Sequence, residues 1–534
     1  MRRFAVIAAA LTLPLLAAPQ AAAAGPSSGG AAARADTTAA LERGGTAAAG
    51  ERSGGASLAD VIPAPVEVRP DARATFRITP FTVVQARPEH RAIGEVLARD
   101  LRRATGYLLP VVPVAPRRLP RIALATESGH GAEGYRLTVD RTGATIRASR
   151  PAGLFAGVET VLQVADGRRV PGGSIVDRPR FAYRGAMLDL ARHFHTPDEV
   201  KRYIDEISRF KINHLHLHLS DDQGWRIEIK SWPRLTEVSG GPGTGVDGVG
   251  PGFLTQRQYR DLVRYAAGRF VTIVPEIDMP GHVNAAQVAY PELTCDGVAP
   301  PPRTDTAVGY SSLCISSETT YRFVEDVLRE LAAITPGPYL HIGGDEAHAT
   351  TDEDYLTFQA RVLPLVAKYG KKAYGWHDIA RSPAAKDAVA QFWGTTTTDA
   401  DVAARVAEGM KVVMSPANKA YLDMKYDPNT PLGLSWAGYI EVQTAYEWDP
   451  GSYLTGVPES AVLGVEAPLW SETLRDLDDI EFMAFPRLAA IAELGWSPAA
   501  THDWASFRTR LGAYGPKWTS RGVDFYPSPQ IDWA

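Results

Sequence analysis

The chain has 534 residues, of which 45% are hydrophobic and 22% are charged, and its formal net charge is −5 at pH 7. This length predicts two or three domains, and this composition is typical of a globular protein. Because basic residues are not in excess, the composition lacks the electrostatic footprint of a protein that binds nucleic acid.

The first 57 residues are expected to lie outside the folded domains. Residues 1–24 begin with Arg2 and Arg3, continue with an apolar run and end in a small-residue cleavage site, which predicts a signal peptide and a secreted protein. Residues 25–57 are rich in Ala, Gly, Ser, Arg and Thr and predict a disordered, low-complexity leader. No later stretch approaches the roughly 20 apolar residues of a membrane span, so we expect no membrane partner.

Residues 58–178 predict a small α+β domain. Apolar residues with helical spacing predict helices over Ile93–Ala104 and Gly153–Gln163. Two β-like runs around a turn, Tyr135–Val139 and Ala144–Ala148, predict a hairpin. Further short strands are predicted at Phe81–Val84 and Arg121–Leu124.

From residue 179 onward strand-like runs alternate with helical runs, which predicts an α/β fold, a (β/α)8 TIM barrel over residues 179–534 with a C-terminal helix. The strands are predicted at Gly185–Leu190, His214–Leu219, Phe270–Pro275, Tyr339–Ile342, Lys372–Gly375, Ala388–Phe392, Lys411–Met414 and Val462–Val465. The helices are predicted at Asp198–Phe210, Thr255–Gly268, Ser317–Ile334, Asp352–Tyr369, Asp399–Glu408 and Asp479–Gly495. A doubly wound sheet is the alternative, but no G-x-G-x-x-G follows any strand.

The six residues His341 to Glu346 are the most informative in the chain. They predict a buried strand that ends in two adjacent carboxylates, Asp345 and Glu346, preceded by two glycines. Different environments can separate the pKa values of two such neighbours and give one acid and one anion. The alternative is a helix N-terminus that favours acidic residues for its dipole.

Other polar and aromatic residues follow the remaining predicted strands. They are Arg192, Asp221, Asp278, His282, Trp376, Trp393, Tyr421, Asp423, Trp470 and Glu472. A ring of carboxylates, Arg and Trp at one barrel mouth is suited to a sugar, because indoles stack on its C–H faces and charged groups hold its hydroxyls. Each Trp taken alone is more often a packing residue.

Two further features remain open at this stage. His214, His216 and His218 alternate with leucines on one strand and could belong to a metal site, or could be hydrogen-bonded residues of the barrel interior. We expect no metal and no cofactor, since same-face positions lie about 6.6 Å apart and one ion cannot take all three. Cys295 and Cys314 predict a disulfide in an exported protein, with two free thiols as the alternative.

In its order of motifs the chain resembles the β-N-acetylhexosaminidases of glycoside hydrolase family 20, in particular the secreted actinomycete type. The resemblance rests on Gly153–Thr160, Tyr183–Asp189, Arg192–His193, Asn213–Trp225, His341–Glu346 and Trp470–Glu472. It implies an exo-acting, retaining hydrolase that releases terminal GlcNAc or GalNAc, in which the substrate's 2-acetamido oxygen is the nucleophile. Its partners would be carbohydrates, such as chitin oligosaccharides and other N-acetylhexosaminides.

The resemblance also implies roles for the site residues. Glu346 is the general acid and then the base, while Asp345 and Tyr421 hold the acetamido group. The remaining substrate-binding residues are Arg192, Asp221, His282, Trp376, Trp393, Asp423, Trp436, Trp470 and Glu472, with Trp436 on the leaving-group side. Asp278, together with Asp221 and His282, forms a shell that sets the charge of the carboxylate pair.

Three alternatives to a monosaccharide-releasing enzyme stay open. One is an enzyme of the same family that releases a disaccharide, as a lacto-N-biosidase does. The second is a catalytically idle sugar-binding protein on the same barrel. The third is a metal-dependent hydrolase that uses the histidine strand.

Overall fold

The computed structural model describes residues 57–534. The predicted signal peptide and almost all of the predicted leader therefore lie outside the described residues. No helix in the described part of the chain is both long enough and apolar enough to cross a membrane.

The N-terminal part forms a mixed seven-stranded sheet with two helices. Its strands are β1 (Glu67–Arg77), β2 (Val83–Gln85), β3 (Val111–Val112), β4 (Arg121–Thr126), β5 (Tyr135–Asp140), β6 (Gly143–Ala148) and β7 (Arg169–Asp177), and its helices are α1 (Arg91–Thr105) and α2 (Pro151–Val164). The strand order is β1-β7-β5-β6-β4-β2-β3. The strands of the predicted hairpin, β5 and β6, pair antiparallel, with Leu137 opposite Ile146. Both side chains are fully buried in the core that also includes residues of α1 and α2. Because alternate residues of each strand face this core, the sequence alternates between apolar and polar residues there.

The second part is a closed parallel barrel in the order β12-β13-β14-β15-β16-β17-β8-β9. These strands are β8 (Tyr183–Asp189), β9 (His214–His218), β12 (Thr272–Glu276), β13 (Tyr339–His341), β14 (Lys372–Trp376), β15 (Val389–Phe392), β16 (Lys411–Met414) and β17 (Val462–Ala467), while β10 (Ser220–Asp221) and β11 (Gly224–Trp225) form a two-stranded ribbon after β9. The predicted TIM barrel and all of its strands are thus confirmed.

Helices surround the barrel and cover the outward-facing apolar residues of its strands. They are α3 (Pro197–Arg209), α4 (Arg234–Ser239), α5 (Gln256–Ala267), α6 (Asn284–Ala289), α7 (Glu318–Ile334), α8 (Asp352–Lys368), α9 (Ala400–Ala407), α10 (Ala417–Ala420), α11 (Val442–Tyr446), α12 (Leu477–Ala484), α13 (Arg487–Trp496) and α14 (Trp504–Arg521). Capping boxes begin α3 at Thr196 and α5 at Thr255. The C-terminal helix α14 agrees with the expectation for the tail.

Three predicted boundaries were wrong. The strand predicted over Phe81–Val84 is β2, Val83–Gln85, because Phe81 lies in a turn in which the Thr82 N–H donates to the Thr79 carbonyl. The single helix predicted over Asp479–Gly495 is two helices, α12 and α13, because Pro486 lacks the N–H that a continuous helix needs. The strand predicted to begin at Phe270 begins at Thr272, because Phe270 has φ of 57° and so cannot be extended.

A buried carboxylate joins the two parts of the fold. Asp177, at the end of β7, accepts hydrogen bonds from the Tyr135 hydroxyl, from Lys211 Nζ and from the indole N–H of Trp496. Tyr135 belongs to the sheet, whereas Lys211 and Trp496 belong to the barrel. This contact fixes the sheet on the end of the barrel that is opposite to the carboxyl ends of its strands.

Candidate active site

The residues predicted to form the site all follow the carboxyl ends of barrel strands. Arg192 follows β8, Asp221 lies in β10 after β9, Asp278 and His282 follow β12, and Asp345 and Glu346 follow β13. Trp376 ends β14, Trp393 follows β15, Tyr421, Asp423 and Trp436 follow β16, and Trp470 and Glu472 follow β17. Because the strands are parallel and the barrel is closed, these positions meet at one mouth.

The backbone before the carboxylate pair is sharply turned. Gly343 and Gly344 have φ of 63° and 106°, and Glu346 itself has φ of 45°. A Cβ on Gly343 would lie 1.8 Å from Oδ1 of Asp278, so only glycine permits this approach. The N–H of Gly344 donates to the same oxygen at 3.0 Å, and the Tyr355 hydroxyl donates to the Gly344 carbonyl at 2.7 Å. Both backbone polar groups of Gly344 are therefore hydrogen-bonded, which fixes the backbone directly before Asp345 and Glu346.

Asp278 and Asp345 form a buried carboxyl pair. Burial, together with the charge of Glu276, raises the pKa of Asp278 to about 8, although His282 opposes the shift. Burial and the adjacent Asp278 likewise raise the pKa of Asp345 well above its usual value. Two like charges in one buried site cannot both ionise at low cost, so the pair keeps a proton near neutral pH.

His282 lies between Asp221 and the carboxyl groups of Asp345 and Glu346. Its Nδ1 lies 3.1 Å from Oδ1 of Asp221, and its Nε2 lies 3.6 Å from Oε2 of Glu346 and 4.0 Å from Oδ2 of Asp345. Burial opposes a charge on the ring, but Asp221 and Asp278 outweigh it and raise the pKa of His282 well above its usual value. A cation therefore faces Asp345 and Glu346 from the side of Asp221.

Arg192 is fixed by buried acceptors and an aromatic face. Its guanidinium contacts Asp221 Oδ2 at 2.8 Å, Asp189 Oδ2 at 3.4 Å and Gln223 Oε1 at 3.1 Å, and lies 4.9 Å from the ring centroid of Trp470. Burial opposes its charge, but Asp221 and Asp189 more than compensate and raise its pKa. Both carboxylate oxygens of Asp221 are engaged, Oδ1 by His282 and Oδ2 by Arg192 and His218, so this residue supports Arg192 and His282.

The far side of the mouth carries Tyr421, Asp423 and Glu472. Burial and then the charge of Glu472 raise the pKa of Asp423 well above its usual value, and burial also raises that of Glu472. Burial and the nearby Asp345 raise the pKa of the Tyr421 hydroxyl, which therefore keeps its proton. A protonated phenol and carboxyl groups with raised pKa values are suited to hydrogen-bonding neutral polar groups of a ligand.

Four indoles line the same mouth from its floor to its rim. Trp376 is fully buried and its ring centroid lies 5.6 Å from that of Trp470. Trp393 lies 6.1 Å from Trp436, centroid to centroid, and donates its N–H to Asp378 at 3.1 Å. Trp436 is 55% exposed, which places it at the rim. The gradient from buried to exposed indoles matches a site that encloses one end of a ligand and leaves the other end in solvent.

The histidine strand β9 turns toward the barrel interior and bonds to neighbouring strands. His216 Nδ1 lies 2.8 Å from Glu466 Oε1, and His218 Nδ1 lies 2.6 Å from Glu276 Oε2. Two ligands of one tetrahedral zinc, with bonds of about 2.1 Å, would lie more than about 3 Å apart. These direct contacts favour the hydrogen-bonded interpretation over a shared ion.

Cys295 and Cys314 are joined, as predicted, with 4.8 Å between their Cα atoms. The loop that they close reaches the site, because Ser311 donates its hydroxyl to Asp222 at 2.6 Å and the carbonyl of Asp305 accepts from Gln223 at 2.8 Å. The disulfide therefore closes a loop that holds Asp222 and Gln223 at the barrel mouth.

Sequence reasoning did not include Glu276, Asp189 and Gln223 among the site residues. Glu276 accepts from the indole N–H of Trp376 at 2.9 Å, Asp189 accepts from the Ser471 N–H at 3.1 Å, and Gln223 holds Arg192. Their position in the sequence could have indicated two of them, since Glu276 ends β12 and Asp189 ends β8, and functional residues of such barrels lie at the carboxyl ends of strands.

A closed parallel barrel whose mouth combines paired carboxyls, an arginine and four indoles defines a glycoside hydrolase. Residues 181–499 match the model of the glycosyl hydrolase family 20 catalytic domain, and residues 59–178 match that of domain 2 of the same family. The chain belongs to glycosyl hydrolase family 20.

Individual relatives agree with this assignment. The chain is 40% identical over 482 residues to a β-N-acetylhexosaminidase of Cellulomonas fimi, covering 89% of this chain and 97% of the relative. It is 53% identical to the Streptomyces plicatus N-acetyl-β-hexosaminidase solved with thio-NAglucal, with a TM-score of 0.86 and coverage of 89% and 98%. A mutant of that Streptomyces plicatus enzyme, also 53% identical with a TM-score of 0.86 and the same coverage, was solved with GlcNAc as product.

Proposed function

We propose that this protein is an exo-acting β-N-acetylhexosaminidase that removes terminal, non-reducing GlcNAc or GalNAc by retaining, substrate-assisted hydrolysis. The observation that carries the proposal is the environment of Asp345. This carboxyl is buried, pairs with Asp278 and faces the imidazolium of His282, while the adjacent Glu346 reaches the same imidazolium from a more exposed position. Two neighbouring carboxyls with separate environments have separate tasks.

In the first step the acetamido oxygen of the substrate attacks the anomeric carbon, and the glycosidic bond to the leaving oxygen breaks. Glu346 gives its proton to that oxygen. With the proton of the carboxyl pair on Asp278, the Asp345 carboxylate accepts a hydrogen bond from the acetamido N–H and stabilises the positive charge of the oxazolinium. The Tyr421 hydroxyl orients the acetamido oxygen. In the second step Glu346 takes a proton from water, which opens the oxazolinium and regenerates the acetamido group with retained configuration.

The other mouth residues hold the terminal sugar. Arg192 and Glu472 bind hydroxyls of the non-reducing side, and Asp423 binds the 6-hydroxyl. Trp376, Trp393 and Trp470 enclose the sugar and its acetamido group, whereas the exposed Trp436 stacks on the leaving-group side. The burial of Arg192 and Asp423, together with the exposure of Trp436, supports removal of one terminal residue.

The cellular setting is also part of the proposal. The signal peptide predicted over residues 1–24 supports a secreted enzyme, and the disulfide supports folding in an oxidising compartment. Chitin oligosaccharides are a substrate class that such an enzyme meets outside the cell.

Product analysis tests the proposal. The protein should release 4-nitrophenol from the β-N-acetylglucosaminide and GlcNAc from the non-reducing end of chitin oligomers, and activity should persist in EDTA. Asp345→Asn should lower kcat more than it raises KM, since the contact strengthens as charge develops. Release of disaccharides only would favour the biosidase alternative, and binding of GlcNAc without any turnover would favour an idle sugar-binding protein.

A further inference from the structure

The barrel interior contains a buried hydrogen-bonded cluster that none of the roles above uses. It consists of His216, His218, Glu276, His341 and Glu466, all fully or almost fully buried. Burying several titratable groups is costly unless each is paired, and such a cluster is weak evidence for stability alone. Its position directly beneath the mouth suggests that it acts on the residues above it.

Glu276 is the junction of this cluster. Its Oε1 accepts from Trp376 Nε1 at 2.9 Å, and its Oε2 accepts from His218 Nδ1 at 2.6 Å. The same carboxylate lies 2.9 Å from His216 Nε2 and 2.9 Å from His341 Nδ1. Glu276 therefore fixes the plane of the Trp376 indole at the floor of the sugar site.

His218 links that carboxylate to the catalytic shell. While its Nδ1 bonds Glu276, its Nε2 bonds Asp221 Oδ2 at 2.8 Å. A neutral imidazole has a single N–H, whereas an imidazolium donates to both carboxylates. Although burial opposes the charge, Glu276 and Asp221 raise the pKa of His218 to about 10, so the ring is an imidazolium at neutral pH. Asp221 in turn holds Arg192 and His282. Side-chain atoms of Asp278, His218 and Glu276 lie within 4.8 Å of one another, and the Trp470 and His218 rings meet edge to face with 4.9 Å between their centroids.

We propose that His218 and Glu276 are positioning residues for the reaction. The His218 imidazolium links two carboxylates: Glu276, which holds Trp376, and Asp221, which holds Arg192 and His282. The His218 cation then fixes the position of Trp376 at the floor of the acetamido pocket and the orientation of His282, which faces Glu346. The inference rests on the proposed function, because the reaction it serves is the proposed one.

His214 is a matched control on the same strand and the same face. Its Nδ1 pairs with Asn213 Oδ1 at 2.7 Å and its ring stacks on Tyr183 at 4.0 Å, and among residues 57–534 no carboxylate forms a hydrogen bond with it. It lies at the opposite end of β9 from the mouth. A loss that came from disturbing this strand would appear in both His214 and His218 variants.

Two substitutions of His218 separate the two contacts. In His218→Asn the amide reproduces the Nδ1 position and does not reach Asp221, whereas in His218→Gln the amide reproduces the Nε2 position. We expect His218→Asn to lower kcat for chitobiose on the order of 10- to 100-fold with little change in KM, because the acid is misplaced. The loss of kcat in His218→Asn should be smaller for a 2,4-dinitrophenyl leaving group. His218→Gln should retain part of the activity that His218→Asn loses. His214→Asn should have the same kcat as the unmodified protein.

Equal losses in His218→Asn and His214→Asn, or equal losses on both leaving groups, would overturn the inference. If His218→Asn does not fold, Glu276→Gln gives the second measurement, and kinetics equal to those of the unmodified protein on both leaving groups would overturn the inference. If the unmodified protein cleaves neither substrate, the proposed function itself fails. An active unmodified protein with indistinguishable histidine variants removes only the role of His218.

Discussion

His282 Nε2 lies 3.6 Å from Oε2 of Glu346, and this contact places a buried cation beside the group that we assign as the acid. The opposite nitrogen of His282 is anchored by Asp221, which Arg192 and His218 also contact. The acid is thus the outermost member of a connected series of buried charges. The orientation of Glu346 therefore depends on the contacts of Asp221 with His282, Arg192 and His218.

Glu346→Gln should reduce turnover of chitobiose by about 10²- to 10⁴-fold, because the leaving sugar oxygen needs the proton. A 2,4-dinitrophenolate leaves without that help, so the loss on this substrate should be much smaller. Steady-state kinetics on the two substrates measure the difference, with the exposed Glu353→Gln as a control. Equal losses on both substrates would count against Glu346 as the acid.

Asp278→Asn should stabilise the protein while it impairs catalysis. The pKa of Asp278 is about 8 in the folded state against an ordinary value of 3.8, so the folded state binds this proton more tightly. The stability from this group is therefore full below about pH 4 and is lost as the pH rises to about 8. Asparagine can still accept from the Gly344 N–H and carries no such cost.

Urea unfolding at several pH values measures this effect. The gain in free energy of unfolding from Asp278→Asn should be larger at pH 8 than at pH 5. A gain that is independent of pH, or a loss at both values, would contradict the buried carboxyl pair.

His216 and His218 should make stability decline on the alkaline side. Their pKa values are about 9 and about 10, because the carboxylates of Glu276, Glu466 and Asp221 outweigh burial, against an ordinary value of 6.5. The stabilisation is fully present below about pH 6.5 and is lost as the pH rises through 9 to 10. His214, whose pKa burial lowers to about 3, does not titrate in this range.

The comparison of His218→Asn with His214→Asn isolates this contribution. The decline in free energy of unfolding between pH 7 and pH 10 should be shallower in His218→Asn than in His214→Asn. Parallel declines would mean that His218 is not an imidazolium in the folded protein.

Replacing both Cys295 and Cys314 by Ser should lower the free energy of unfolding by about 3 kcal/mol, the chain-entropy value for a loop of this size. Denaturant unfolding of the oxidised protein and the variant gives the difference. Dithiothreitol should lower the stability of the unmodified protein toward that of the variant and leave the variant unchanged. Stability that is insensitive to both changes would exclude a stabilising role for the bridge.

The sequence was sufficient for the elements whose pattern is local. Three features could be predicted because each depends on neighbouring residues: the alternation in β5 and β6, the apolar runs of the barrel strands and the carboxylates after β13. Pro486 could also have been read as the end of α12, since proline removes a helical N–H.

The hydrogen bonds that hold the site residues could not be predicted, because they depend on which strands are neighbours in the closed barrel. Glu276 and Trp376 are 100 residues apart, and Gly344 and Asp278 are 66 apart, yet each pair is in hydrogen-bond contact. A single sequence shows that polar residues end the strands. The register of the strands decides which of those residues bond to each other and which remain for a substrate.

In the proposed reaction the nucleophile is the substrate's own acetamido oxygen, held by Asp345 and Tyr421. The most direct measurement is kcat/KM for 4-nitrophenyl β-glucosaminides that carry N-acetyl, N-fluoroacetyl, N-difluoroacetyl and N-trifluoroacetyl groups. Fluorine withdraws electrons from the attacking oxygen and changes the contacts with the sugar little, so the rate should fall with each fluorine and approach zero for the trifluoro compound. A rate that does not depend on fluorination, or a covalent ester on Asp345 or Glu346 trapped by a 2-deoxy-2-fluoro sugar, would show that a protein carboxylate is the nucleophile.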